Sequence, residues 1–223
     1  MHFDLVIFDC DGVLVDSEVI AHQTLLDALI PLGFSMTLEE SLRVFAGRSL
    51  KDTIAVIEQR LGHAIPDDIM RRARDLLFAR FRTGLKPVIG VKDAIDSMSY
   101  RRCAASSSSP DRLRLALEVT GLAPLFGDHV YSATQVARGK PAPDLFLFAA
   151  RMMQADPSRC IVIEDSPLGV EAGRAAGMRV IGFVGASHAT EDLAQVLAAA
   201  GADRVIRAMR ELPSCVEAMK VPK

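Results

Sequence analysis

Two short apolar runs that end abruptly in carboxylates constrain the fold of this chain most. Leu5–Phe8 and residues 160–163 carry β-branched side chains and no charge; Asp9 follows the first run, and Glu164 and Asp165 follow the second. Apolar runs of this length are typical of strands buried on both faces, as in a parallel sheet that helices cover on each side. The pattern therefore predicts an α/β fold.

Strand and helix patterns alternate from about residue 100 onward, which is the signature of βαβ units. We expect an open Rossmann-like parallel sheet with helices on both faces, that is, a three-layer α/β/α core. Besides the two runs above, strand patterns lie at 103–105, 129–131, 179–184 and 204–206. Helical patterns lie at 109–119, 142–153, 167–176 and 190–199.

Residues 16–83 differ from the rest because helical periodicity runs through them without a convincing strand. Helices are predicted at 19–29, 50–61 and 67–81. The segment follows the first strand, and its return at 84–87 contains the Gly and Pro expected at a boundary. We therefore expect a discontinuous core, residues 1–15 and 84–223, with an inserted α-helical cap domain, residues 16–83.

Charge and composition argue against several classes of function. Lys plus Arg number 26 against 28 Asp plus Glu, a net charge of −2, so no large positive field exists to hold a nucleic acid or an anionic membrane. No basic stretch precedes an apolar run at the start, and no apolar run is long enough to span a bilayer. Four dispersed cysteines suggest neither a disulfide framework nor a zinc site. We expect a cytoplasmic protein, and the oligomeric state stays open.

Polar side chains follow several of the predicted strands, at the edge where an open α/β sheet binds its ligands. Four carboxylates, a hydroxyl and an ammonium group gather there, enough to bind one phosphate and one hard cation. These residues are Asp9, Asp11, Ser106, Lys140, Glu164 and Asp165.

Each of these residues also has an ordinary structural explanation that involves no function. Asp11 and Gly12 can form a hairpin turn, Ser106 can cap a helix, and Lys140 can be a solvated lysine. Their coincidence at strand ends is left unexplained by those alternatives. Because clustered carboxylates repel one another, a counter-charge is implied, and Mg²⁺ accepts oxygen ligands. One aspartate can then attack phosphorus while the second, two residues on, transfers protons.

Four segments in order resemble the motifs of the haloacid dehalogenase-like hydrolase superfamily: residues 8–18, 105–108, 139–144 and 163–166. The likeness spans nearly the whole chain. It is greatest to the branch of β-phosphoglucomutase and small sugar-phosphate phosphatases, whose helical cap follows the first motif.

The resemblance assigns a role to each core residue. It implies Asp9 as the phosphorylated nucleophile and Asp11 as the general acid and base. It implies Mg²⁺ bound by the Asp9 carboxylate, the Asp11 backbone carbonyl and Asp165, with Glu164 binding directly or through water. The phosphoryl group would be bound by Ser106, the Ser107 amide and Lys140.

Departures from the family pattern favour some of the family's reactions over others. Family dehalogenases and phosphonoacetaldehyde hydrolases lack an aspartate at the place of Asp11, so phosphoester hydrolysis or transfer is favoured. The mutases carry a cap histidine at the position of Ala21, whereas this chain has its histidine, His22, one residue later. They also carry a phosphate-binding arginine at the position of Leu50. Candidate specificity residues in the cap are Arg48, Ser49, Lys51 and His22, although a packing role is the simpler interpretation of His22.

The predicted function is a Mg²⁺-dependent phosphatase. Its substrate would be a small phosphorylated metabolite, a sugar phosphate or related acid, hydrolysed through an aspartyl-phosphate intermediate. A phosphosugar mutase and a catalytically silent binding module are the alternatives. Residues 185–189, which include Ser187 and His188, have half of a nucleophile elbow but lack its final glycine, so Ser-His catalysis is disfavoured.

Overall fold

A parallel six-stranded sheet forms the centre of the molecule. The computed structural model describes residues 3–45 and 48–220. The strands are β1 (Leu5–Phe8), β2 (Arg101–Ser106), β3 (Val130–Ser132), β4 (Cys160–Glu164), β5 (Arg179–Phe183) and β6 (Arg204–Ile206). Their order is β3-β2-β1-β4-β5-β6 with every neighbouring pair parallel. Each strand lies at a position that the apolar patterns predict.

Helices fill the connections between these strands. In the first half of the chain they are α1 (Glu18–Leu29), α2 (Leu38–Phe45), α3 (Leu50–Leu61), α4 (Asp67–Gly84), α5 (Val91–Asp96) and α6 (Pro110–Val119). In the second half they are α7 (Ala123–Phe126), α8 (Asp144–Met152), α9 (Pro167–Ala175), α10 (Leu193–Ala199) and α11 (Leu212–Ala218). None of the helices in the described ranges is both long and apolar enough to cross a membrane.

Side chains of β1 alternate between two hydrophobic clusters, one on each face of the sheet. Leu5 and Ile7 pack in a cluster with residues of α8, α9 and α10. Val6 and Phe8 pack in the other, with residues of α5, α6 and α11. Because a strand points successive side chains to opposite faces, both faces are covered, and the predicted three-layer Rossmann-like core is confirmed.

Helices α1 to α4 follow β1 directly and have an apolar cluster of their own. Leu29, Phe45, Ile57 and Ile65 are its buried members. The predicted helices at 19–29, 50–61 and 67–81 correspond to α1, α3 and α4. Helix α2 was not predicted, because its eight residues cover only about two turns and are too few for the helical period to be recognised. The bounds of the cap domain at 16 and 83 stay a prediction.

The chain passes between the sheet and these helices twice, near residues 14–16 and 86–88, and the two crossings run side by side. The Asp16 amide donates a hydrogen bond to the Lys86 carbonyl at 3.0 Å, and the Val88 amide donates to the Leu14 carbonyl at 2.9 Å. Strand order reverses beside β1, since β2 lies on one side of it and β4 on the other. This reversal opens a crevice beyond the carboxyl end of β1, and helices α1 to α4 lie over it.

Deleting part of a buried side chain in the helical cluster tests its contribution to stability. Ile57 is 0% exposed, so we expect Ile57→Ala to lower the free energy of unfolding by about 2–5 kcal/mol. Ile89→Ala is the matched control: it removes the same atoms from a residue that is 93% exposed and should change stability by less than about 0.5 kcal/mol. Urea unfolding of both variants measures the difference, and equal losses would contradict it.

Candidate active site

Three buried carboxylates meet where β1 and β4 end. One oxygen from each of Asp9, Glu164 and Asp165 lies within 4.8 Å of the others. Asp9 directly follows β1, Glu164 ends β4, and β1 and β4 are parallel neighbours. The sheet therefore brings together side chains separated by about 155 positions in the chain, as the strand-end pattern predicts.

Lys140 supplies positive charge to this cluster. Its Nζ donates to Asp9 Oδ1 at 2.5 Å and also to Glu164 Oε1. The lysine side chain is only 3% exposed, so the ion pairs are almost completely shielded from water. Removing the ammonium would leave two buried carboxylates without compensation, which makes Lys140 a structural requirement of the cluster as well as a candidate phosphate ligand.

Burial is the largest influence on the pKa values of two carboxylates in the cluster, Asp9 and Asp165. It raises the pKa of the Asp9 carboxyl well above its usual value; Lys140 opposes this shift and the charges of Glu164 and Asp165 reinforce it. Burial likewise raises the pKa of Asp165 to about 6. Burial alone would lower the pKa of Lys140, but Asp9 and Glu164 raise it above its usual value. The Lys140 ammonium leaves negative charge in the cluster, which favours a further positive charge there.

Of the three carboxylates in the cluster, Glu164 accepts the most hydrogen bonds. Its Oε2 accepts hydrogen bonds from the Asp165 and Ser166 amides at 3.1 and 3.2 Å and from Ser166 Oγ at 3.0 Å. A side chain at Gly169 is excluded, because its Cβ would lie 1.9 Å from Glu164 Cδ. With Oε2 used by these donors, only Oε1, shared with Lys140, faces the other carboxylates as a possible ligand.

Asp11 faces a different set of groups. Its carboxylate accepts hydrogen bonds from Ser17 Oγ at 2.5 Å, Ser108 Oγ at 2.6 Å and Arg112 at 2.6 Å. Burial by itself would raise the pKa of Asp11, but Arg112 and the two hydroxyl groups hold it below its usual value. Asp11 is therefore ionised here, and its side chain is not part of the acidic cluster.

The predicted phosphate-binding residues line a single cavity with the two aspartates. The cavity has a volume of about 590 Å³ and lies between the sheet edge and helices α1, α3 and α4. Its lining includes Ser106, Ser107 and Lys140. Ser106 Oγ is 3.4 Å from Asp11 Oδ2 and accepts a hydrogen bond from the Ser108 amide at 3.1 Å. Ser108 lies at the same place, where its hydroxyl donates to Asp11.

The four candidate specificity residues of the cap also line this cavity. Arg48 is exposed and donates to the Val44 carbonyl at 3.1 Å. Ser49 caps α3 by accepting the Asp52 amide, and Lys51 lies in the first turn of that helix. His22 is buried and bridges Ser41 Oγ at 2.8 Å and Glu18 at 3.1 Å, as a packing role predicts.

Arg112 and His188 belong to this site but were not predicted. Arg112 lies near the start of α6, where nothing in the local sequence distinguishes this largely buried arginine from the exposed ones. His188 Nε2 lies 3.0 Å from Asp165 Oδ2, and burial, which lowers its pKa, is outweighed by Asp165, which raises the pKa to about 9. His188 follows β5, so the strand-end pattern applied to that strand would have found it.

Two glycines with the same backbone conformation test how tightly the site is packed. Gly12 has φ +75°, and a Cβ there would lie 1.8 Å from Asp165 Oδ2. Gly33 has φ +72° and open space around it. We expect Gly33→Ala to cost about 1–2 kcal/mol of stability from backbone strain alone, and Gly12→Ala about 1–3 kcal/mol more from the clash. Urea unfolding in EDTA measures both, and equal costs would show that Asp165 moves aside freely.

Comparisons with solved structures show the same fold. A conserved haloacid dehalogenase-like protein of unknown function from Agrobacterium tumefaciens str. C58 is 42% identical, with a TM-score of 0.85 over 97% of this chain and 99% of that one. A hydrolase of the same family from Deinococcus radiodurans R1, solved with bound phosphate and sodium, is 34% identical, with a TM-score of 0.78 over 97% and 96% of the two chains.

A curated relative and a family model agree with these structures. The 6-phosphogluconate phosphatase of Escherichia coli (strain K12) is 27% identical over 186 residues, which are 83% of this chain and 84% of the relative. The model of the haloacid dehalogenase-like hydrolases matches residues 3–177. The predicted family is thereby confirmed: this chain is a member of the haloacid dehalogenase-like hydrolases.

Proposed function

We propose that this protein is a Mg²⁺-dependent phosphatase that hydrolyses a small phosphorylated metabolite through an aspartyl-phosphate on Asp9. One observation carries the proposal above all: three buried carboxylates and a buried lysine converge at the end of β1, and Asp9, Asp165 and Lys140 among them line a cavity. Family membership and the relative named a 6-phosphogluconate phosphatase support it.

The acidic cluster suits a hard divalent cation. Its donors are all carboxylate oxygens, which Mg²⁺ prefers, and burial together with mutual repulsion makes their unneutralised charge costly. Asp9 and Asp165 would hold the ion, with Glu164 Oε1 and the Asp11 backbone carbonyl as further ligands. When bound, the ion supplies charge that lets an anionic carboxylate approach an anionic phosphoryl group.

The proposed reaction gives each of the two aspartates a separate role. An Asp9 oxygen forms a bond to phosphorus while the bond from phosphorus to the leaving oxygen breaks, and Asp11 protonates that oxygen. Water then attacks the aspartyl-phosphate, Asp11 accepts a proton from it, and Asp9 is regenerated. Lys140, Ser106 and the Ser107 amide bind the phosphoryl oxygens. The products are an alcohol and inorganic phosphate.

Asp11 must change its surroundings during this cycle. In the structure it is an ionised carboxylate held by Arg112, Ser17 and Ser108. That state is ready to accept a proton from water in the second step. For the first step Asp11 needs a proton, so its contact with Arg112 has to weaken when substrate enters the cavity.

The substrate is proposed to be a sugar phosphate or a related acid. A cavity of about 590 Å³ is of the size that small-molecule sites have, roughly 300–1,000 Å³. Its cap side contains the exposed cations Arg48 and Lys51, which can bind a second anionic group such as a carboxylate. The E. coli relative is named for a substrate with both a phosphate and a carboxylate.

Replacement of the proposed nucleophile is the most direct test. Asp9→Asn removes the attacking oxygen anion but keeps the shape of the side chain, so we expect turnover of phosphate esters to fall by roughly 10⁴-fold or more. Release of inorganic phosphate from a panel of sugar phosphates with Mg²⁺ measures it. Asp128→Asn, the same change at an exposed position, should leave turnover unchanged. Residual activity above a tenth of wild type in a folded Asp9 variant would refute the assignment.

A cap variant tests the source of specificity. If Arg48 binds a second anionic group, Arg48→Ala should lower kcat/KM for the preferred anionic metabolite by about 10- to 100-fold, the range expected for loss of a hydrogen bond to a charged group. Hydrolysis of p-nitrophenyl phosphate, which lacks that group, should change less than about 3-fold. Arg43→Ala, an exposed arginine outside the cavity lining, is the control. Equal losses on both esters would contradict a specificity role.

A further inference from the structure

His188 reaches the acidic cluster from a strand that contributes no carboxylate to it. The residue lies in the connection between β5 and α10, and its Nε2 is 3.0 Å from Asp165 Oδ2. Both side chains are 8% exposed, so water competes little for this contact. The other ring nitrogen, Nδ1, is buried without a hydrogen-bond partner among the described residues. Among the described residues, the contact with Asp165 is therefore the polar contact that the imidazole makes.

The backbone around His188 is fixed on two sides. Ser187 donates to Asp16 Oδ1 from its amide at 3.1 Å and from its hydroxyl at 2.7 Å, which ties the loop to the crossing where α1 begins. The imidazole also lies against the turn after β1: a Cβ on Gly12 would be 2.7 Å from His188 Cε1. The ring is thus held in place independently of any bound ion.

Two other roles for His188 fit the geometry less well. As a metal ligand it would have to share a cation with the carboxylates, yet among the described residues the set of ligand atoms within 4.8 Å of one another comprises Asp9, Glu164 and Asp165 alone. As the base of a Ser187 nucleophile it would have to face that hydroxyl, which instead binds Asp16. What remains is its contact with Asp165.

We propose that His188 is a positioning residue that orients the Asp165 carboxylate for cation binding. This inference rests on the proposed function, because it assumes that Asp165 binds Mg²⁺. A carboxylate has about four lone-pair sites, and the Nε2 donor occupies one of them on Oδ2. This ion pair would restrain the rotation of the carboxylate and leave the remaining sites for the ion. Hydrogen-bond partners of this kind typically contribute 10- to 100-fold to metal affinity.

Replacing His188 by Gln or by Asn distinguishes the effect of its contact with Asp165 from the effect of losing the ring. In His188→Gln the amide nitrogen reaches about as far as Nε2, whereas in His188→Asn it stops about where Nδ1 lies. We expect the Asn variant to bind Mg²⁺ and Mn²⁺ 10- to 100-fold more weakly than wild type, and the Gln variant to stay within about 3-fold of wild type. Isothermal titration of the EDTA-treated full-length protein measures both. His63→Asn, at an exposed histidine, should bind as wild type.

A stability measurement and a second variant cover the case in which His188→Asn does not fold. Melting temperatures in EDTA show whether each variant folds. If His188→Asn does not, Ser187→Ala replaces it, since loss of the hydroxyl loosens the loop and should weaken Mg²⁺ binding about 3- to 10-fold. Unchanged or tighter binding by the folded Asn variant, or by Ser187→Ala where it stands in, would overturn the proposal. A Gln variant as weak as the Asn variant would also overturn it.

The measurements also separate this inference from the proposed function. If wild type binds Mg²⁺ and hydrolyses phosphate esters while the variants bind equally well, only the positioning role fails. If wild type neither binds Mg²⁺ nor hydrolyses any ester, both proposals fail together.

Discussion

Compensation of buried negative charge is the constraint on which the rest of the site depends. Asp9, Glu164 and Asp165 converge where water is excluded, and an unpaired carboxylate there would be strongly unfavourable. The protein meets this constraint with Lys140 on one side and His188 on the other. The proposed phosphatase site would need this balance, with enough negative charge left to attract the proposed divalent ion.

The sheet order supplies the geometry for that balance. Because β1 lies between β2 and β4 and all the strands run parallel, the residues after each strand meet at one edge. The same edge places Asp11 beside α6, where Arg112 and Ser108 hold it apart from the acidic cluster. Two aspartates only two residues apart therefore have different surroundings, and burial moves the pKa of Asp9 up while Arg112 and the hydroxyl groups hold that of Asp11 down. Distinct environments are what separate roles in nucleophilic attack and proton transfer require.

The helices α1 to α4 close the site from above. Their own apolar cluster makes them a compact layer, and two adjacent chain crossings join them to the sheet. Ser187 binds Asp16 at the first of these crossings, and the next residue, His188, binds Asp165. One short loop thus links the position of the helical layer to a proposed metal ligand. The residues proposed to set substrate preference and those proposed to bind the cation therefore lie close together.

The amino-acid sequence by itself determined the fold class, all six strands and the segments that carry the acidic residues, because apolar runs and strand-end charges are local patterns. It also identified the family. Helices α2, α5, α7 and α11 were not predicted, since each spans eight residues or fewer and helical periodicity is difficult to recognise over so short a segment. Only the tertiary structure decided that Ser108 and Arg112 bind Asp11 and that His188 binds Asp165. Those partners come from elements distant in the chain, and their pairing depends on sheet order and loop path, which no local pattern records.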